Sequence, residues 1–375
     1  MVKMKKKLIS LSISLLVLLL GIAAYLLIHD LSLSSAAKEF YQYWYLDNVG
    51  NKLVIQDDSN TNNTIVTPQA GVDINAFQMW QTYQALDTPA DVVVALLDTG
   101  VDSEHDLIRQ NLWNNPNDKS TSNPGETGYV ETAFGASFVE LDPSGSENLS
   151  SQKKHGTMCA GILAKVANTD HIKLMSLAVL TASAESNDLH GSAADIVNAI
   201  HYAENNGARL CNLSMGSLAN SDEIFQAMKQ SNMLFILSAG NGSGRGISLD
   251  GTYDLPAIYQ LDNVITVANL NYNGRLNKES NYGVQTVTIA APGTSMLTAV
   301  PGNRFEYGTG TSMAAPVVSG ISAVMMSANP ELTASDVKQI ICETAASLPD
   351  LQGKIVTGGT VDGGAAVSKA CERNS

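Results

Sequence analysis

Hydrophobic positions along the chain fall into two kinds of run. A continuous apolar run stands at 92–97 and a second buried one at 233–238, and further strand-like segments at 172–180, 209–216, 264–270 and 284–290. Apolarity without a polar face marks strands buried on both sides, as in parallel sheets. The other kind has helical spacing. It covers a short segment at 75–85, an amphipathic one at 193–206 ending at Gly207, and another at 221–231. Two further helices are built almost wholly of small and apolar residues, one opening at His155 and one running from Ser312 through 317–326. Strand and helix alternate, which predicts right-handed βαβ units sharing one mainly parallel sheet with helices around it, an α/β fold. No internal repeat and no linker divides this body.

Polar stretches bound the pattern. Residues 103–151 are rich in Asn, Ser, Pro and acids, and read as surface excursions. At the other end, residues 8–28 are uncharged and strongly apolar behind Lys3, Lys5, Lys6 and Lys7. As a helix this stretch rises about 31 Å, enough for a hydrocarbon core. It exceeds the roughly 7–15 apolar residues of a signal peptide, which favours a transmembrane signal-anchor. Small residues at Ser34, Ser35, Ala36 and Ala37 leave cleavage, and hence secretion, open. The lysines place 1–7 in the cytoplasm, so the chain contacts the bilayer through 8–28 and everything after Asp30 faces outward. Residues 29–77 form a stalk, a short pro-segment or an arm on the main body.

Composition narrows the class. The chain is 44% hydrophobic and 15% charged, as a packed protein is. Thirty-six acidic side chains face 22 basic ones, and four of the basic ones precede residue 8. So acidic a body excludes a nucleic-acid partner. Of four cysteines, Cys159 and Cys211 lie in apolar or small-residue segments and read as buried hydrophobes. Cys342 and Cys371 are candidates for a bridge in an oxidising compartment. Their spacing matches no metal motif, and no cofactor is implied.

Candidate chemistry gathers at strand ends and helix starts. Asp98 directly follows the apolar run 92–97, where sites collect at the carboxyl ends of parallel strands. His155 opens a small-residue helix in HGT. Asn241 follows the strand 233–238, readable as a turn residue or as an amide donor for developing negative charge. Ser312 opens a helix whose free N–H groups suit an oxyanion, and Pro316 is placed in its first turn. Each of these alone has a plain structural reading.

Together, LLDTGVD at 96–102, HGTMCAGI at 155–162, LSAGNGSG at 237–244 and GTGTSMAAPVVSG at 308–320 resemble the subtilisin-like serine protease family, over residues 78–367. The resemblance implies a three-layer subtilisin-like peptidase domain at 78–370 that cuts polypeptide substrates. It makes Ser312 the nucleophile, His155 the general base, Asp98 its orienting carboxylate and Asn241 the oxyanion donor. Ser214, Met215 and Gly216 match the segment that pairs with extended substrate. The chain departs from the family in two places. Residues 165–171 are brief where many relatives carry a calcium loop, so no metal site is assigned, although structural calcium stays open. Residues 31–77 are short for an inhibitory prodomain. An α/β-hydrolase is excluded, because its order is Ser, acid, His and the last histidine here is His201. An acid-active relative with a Ser-Glu-Asp set would lack His155. The remaining alternative is a membrane-tethered subtilisin-like binding module without hydrolysis.

Overall fold

The structure, a computed structural model, describes residues 43–56, 63–116, 129–139, 153–182, 189–215, 221–251 and 256–373. The apolar run 8–28 lies outside them, as does Gly216. From Trp44 onward the described residues form one compact unit.

Strands β1 (Leu53–Gln56) and β2 (Asn63–Val66) pair antiparallel in an N-terminal arm. Helix α1 (Ala76–Gln84) leads into β3 (Val92–Asp98), β4 (Val130–Thr132) and β5 (Gly135–Ser137). Then come α2 (Lys154–Ala167), β6 (Ile172–Ala178), a small pair β7 (Thr181–Ala182) and β8 (Leu189–His190), and α3 (Ala193–Asn205). After β9 (Ala208–Leu213) follow α4 (Asp222–Gln230), β10 (Leu234–Ser238), β11 (Val264–Leu270) and β12 (Ile289–Pro292). A hairpin of β13 (Met296–Val300) and β14 (Arg304–Gly308) precedes α5 (Thr311–Ala328). The chain closes through α6 (Ala334–Glu343), β15 (Ala346–Ser347), β16 (Gly359–Thr360) and α7 (Gly363–Glu372).

One sheet orders its strands β15-β16-β12-β11-β10-β9-β3-β6-β5-β4. Only its outermost pairs, β15–β16 and β4–β5, are antiparallel. Side chains alternate across each strand, so both faces need cover. Ala95 and Leu97 of β3 pack with Ile196 and Ile200 of α3 and Ile224 and Met228 of α4. Helices α2 and α5 pack against the sheet and against each other, with α5 touching β9, β10, β11 and β12. The expected three-layer arrangement of helix, mainly parallel sheet and helix is therefore present. Helix α5 is apolar enough to cross a membrane, yet it is the buried core helix of this domain.

Several expectations shift. The stretch 209–216 is strand only to Leu213; Ser214 and Met215 follow as buried residues at its carboxyl end. In 284–290 the strand starts late, because Val287 N–H bonds back to Gly283 and closes a turn first. The region 103–151 is more than surface excursion. It supplies β4 and the buried β5, and His105 is fully buried. His105 Nδ1 accepts from Leu107 N–H, so its Nε2–H donates to the Arg304 carbonyl at 3.0 Å and pins this loop to the hairpin. All four cysteines are free thiols, so Cys342 and Cys371 form no bridge; Cys159 and Cys211 are buried as expected.

Candidate active site

Asp98 ends β3 with its side chain buried. Its carbonyl accepts from Val179 and Leu180 N–H, which ties the strand end to the neighbouring chain. Its Oδ1 accepts from Thr99 N–H at 2.8 Å. His155, in the first turn of α2, sets Nδ1 2.8 Å and 2.9 Å from the two carboxylate oxygens. A carboxylate is acceptor only, so Nδ1 carries the proton and Nε2 is left free. Thr99 Oγ1 accepts from Gly156 N–H at 3.1 Å, seating the helix start on the strand end. Burial pushes the imidazole pKa down, but Asp98 outweighs this and holds it well above the usual histidine value. The ring keeps 24% side-chain exposure.

Ser312 stands in the first turn of α5, behind Gly310 at φ 155. Its hydroxyl donates to the Ser214 carbonyl at 2.9 Å. Among the described residues it makes no hydrogen bond to His155. Cys159 spans the two, with its thiol donating to the Ser312 carbonyl at 3.4 Å and lying 4.0 Å from His155 Nδ1. Asp98, His155 and Ser312 therefore share one neighbourhood at the rim of the sheet. Burial pushes the Cys159 thiol pKa up, so it stays protonated near neutral pH.

Pro316 corrects an expectation. It lies inside α5, beyond the first turn. A proline there removes the donor to the carbonyl four residues back, which is that of Ser312. Ser214 Oγ fills the vacancy at 2.9 Å. Asn212 Nδ2 donates to Ser214 Oγ at 3.0 Å, and Ser319 Oγ to Asn212 Oδ1 at 2.8 Å. This buried relay ties the middle of α5 to its first turn, and the sequence reading missed it.

Asn241 follows β10 and is oriented by a residue the motifs did not single out. Thr311 donates to Asn241 Oδ1 through N–H at 3.0 Å and Oγ1 at 3.3 Å. Thr311 Oγ1 itself accepts from Gly240 N–H at 3.0 Å. With the oxygen occupied by these two bonds, Nδ2 is the amide's donor side. The only sequence signal for Thr311 is its place beside Ser312. Ser214 and Met215 lie at the end of β9, and Gly216 is outside the described residues.

Donor atoms of Asp98, His155 and Cys159 fall within 4.8 Å of one another. Hydrogen bonds already engage the Asp98 carboxylate and His155 Nδ1, so the trio is knit without a cation. The brief turn after α2 has Asn168 at φ 50. Its Thr169 carbonyl and that of Ile172 accept from Asn111 Nδ2 at 2.7 and 3.0 Å, which ties this turn to the segment before β4.

Known proteins agree with this architecture. A solved structure from work on assembly of the subtilase cytotoxin SubAB superposes with TM-score 0.63 at 22% identity, covering 80% of this chain and 95% of that one. A thermostable alkaline protease of Halalkalibacterium halodurans is 31% identical over 275 residues, covering 69% of this chain and 64% of that protein. A halolysin-like extracellular serine protease, Nep, of Natrialba magadii is 30% identical over 263 residues, covering 69% of this chain and 44% of that protein. The matches thus span less than two thirds of either relative's length. Residues 90–365 match the family description itself, and the chain belongs to the subtilase family.

Proposed function

We propose that this chain is a serine endopeptidase acting on polypeptides through an acyl-enzyme. Ser312 is the nucleophile, His155 the base, Asp98 its orienting partner and Asn241 the oxyanion donor beside the Ser312 N–H. The observation that carries the reading is the Nδ1–carboxylate pair of His155 and Asp98, with a free Nε2 and Ser312 joined to the same cluster through Cys159.

The chemistry follows from those positions. Ser312 Oγ bonds to the scissile carbonyl carbon as its proton passes to His155 Nε2, and the carbonyl electron pair moves onto oxygen. Asn241 Nδ2 donates to that oxyanion. Collapse breaks the C–N bond, and the imidazolium returns its proton to the leaving amine. Water repeats the steps on the ester and frees Ser312. No step needs a cofactor. Ser214, Met215 and Gly216 bind the substrate backbone as an added strand. Residues 8–28 anchor the chain in the bilayer and the domain works outside the cytoplasm, in keeping with the extracellular relative.

The competing reading, a tethered binding module without hydrolysis, draws on one observation: the Ser312 hydroxyl is turned to Ser214. Rotation to another staggered χ1 well redirects it, a change between ordinary rotamers. A fluorophosphonate probe separates the readings. Labelling of the wild type but not of Ser312→Ala supports the endopeptidase; labelling of neither rejects it.

A further inference from the structure

The arm that begins at Trp44 reaches the nucleophile's mount. Trp44 and Leu46 are each 1% exposed, as deeply buried as the sheet core. The arm's backbone is stitched to the segment leading into α1, with Ile74 N–H donating to Tyr45 O at 3.0 Å and Ala76 N–H to Leu46 O at 3.2 Å. Gly363 N–H in turn donates to Ile74 O at 2.9 Å. These residues are held as domain interior rather than as a tether.

Trp44 has a more specific contact. Its indole N–H donates to the Thr294 carbonyl at 3.1 Å, and its ring meets Tyr272 edge-on at 6.3 Å. Thr294 centres the turn 293–295 between β12 and β13. Ser295 there has φ 51, a left-handed conformation that a serine keeps only when its surroundings impose it. The flanks of this turn clasp the residues before Ser312: Gly293 O accepts from Gly310 N–H at 2.8 Å, and Ser295 N–H donates to Thr309 Oγ1 at 3.0 Å. Behind the turn, Thr294 Oγ1 donates to Asn269 and accepts from Asn277. The indole thus braces the central residue of a turn whose two flanks clasp the residues before Ser312. Without that brace the turn can relax, and Gly310, which caps α5, moves with it.

We propose that Trp44 is a positioning residue for Ser312, and that the arm from Trp44 onward is a permanent part of the active enzyme rather than an excisable pro-segment. This rests on the endopeptidase reading. Trp44 touches no reacting atom; it acts through Thr294 and Gly310. The effect therefore falls on the rate of acylation, since small displacements of a nucleophile cost rate out of proportion to their size.

The test uses the full-length chain and Trp44→Phe, which keeps an aromatic ring and deletes the N–H. Expected is a loss of about 10- to 100-fold in fluorophosphonate labelling rate and in kcat. KM should stay within about twofold and the pH profile keep its midpoint, because binding and the His155–Asp98 pair are untouched. A merely structural role would lower the melting temperature and leave the labelling rate of the folded fraction at the wild-type value, and that result overturns the proposal. So does an active, naturally processed enzyme whose N-terminus lies beyond Leu46. Trp44→Ala, which also removes the ring, should lose at least as much rate; if it labels at the wild-type rate the proposal fails. A wild type that does not label sinks the endopeptidase reading instead, so the two failures are told apart.

Discussion

Ser214 holds Ser312 from both ends: its hydroxyl donates to the Ser312 carbonyl at 2.9 Å, and its own carbonyl accepts the Ser312 hydroxyl, also at 2.9 Å. The first contact exists because Pro316 has no N–H to offer. Ser214→Ala leaves that carbonyl with only the weak Cys159 S–H donor, and strands Asn212 Nδ2 in a dry interior. The cost should be about 1–3 kcal/mol of stability, read from urea denaturation. A variant with the wild-type midpoint and slope would show that the relay carries no weight.

The raised pKa of His155 sets activity and stability against each other. The base must be neutral, so kcat/KM climbs with pH through a midpoint above the ordinary histidine value of about 6.5. Stability runs the other way. Between the unfolded pKa and the raised folded one, the native state binds more protons than the unfolded state, so the pair's contribution is complete below about 6.5 and is lost as pH rises through the folded pKa. Comparing thermal midpoints of wild type and His155→Gln across this range isolates the effect. A difference that grew with pH would contradict the sign. Asp98→Asn should drop the kinetic midpoint, because the charge that chiefly opposes burial is then gone. It should also cost on the order of 10⁴-fold in kcat, the size seen when this carboxylate is neutralised in serine proteases.

How much of this could be read from the chain depends on what each element is made of. Strand β11 is legible to the residue because Val264 to Leu270 is mostly apolar and β-branched, and all seven positions are buried, Thr266 and Asn269 included. Strands β4 and β5 are invisible, since three residues carry no period and their pairing comes from the sheet edge. The candidate chemical groups could be picked out because each stands just after a strand or at a helix start, beside or close to a glycine. Their supports were not. Nothing in the sequence says that Thr311 faces Asn241, that Pro316 opens a carbonyl to Ser214, or that Trp44 reaches Thr294, 250 positions away. Such contacts are set by tertiary packing.

Asn241 is exposed and its oxygen accepts from Thr311 N–H and Oγ1, so in the proposed mechanism its Nδ2 is the group that meets the oxyanion. Asn241→Ala should reduce kcat by about 10²–10³, or 2.7–4 kcal/mol, the loss measured when the oxyanion amide of a related subtilisin is removed. KM should barely move, because the oxyanion exists only beyond the ground state. A rise in KM with kcat intact would reassign Asn241 to substrate binding.

Gly156 gives the sharpest contest between two effects. Replacing a helical glycine by alanine ordinarily stabilises, by about 1 kcal/mol. Here a Cβ would stand 2.2 Å from the Gly100 carbonyl oxygen and 3.3 Å from Asp98 Cβ. The obstacle is backbone, in a turn whose Gly100 sits at φ 86, so it cannot swing aside as a flexible side chain would. Overpacking of this kind costs about 1–3 kcal/mol and sometimes more, which outweighs the propensity gain. Relief requires the start of α2 to lift off the end of β3, and that lengthens the contact between His155 and Asp98. Gly156→Ala should therefore lose both stability and most of its kcat, with a kinetic pKa displaced toward the ordinary histidine value. Equilibrium unfolding and a pH–rate profile on the same preparation decide the matter: a variant more stable than wild type, with its pKa unmoved, would mean that the helix start and the strand end are not in the close contact on which the catalytic pair depends.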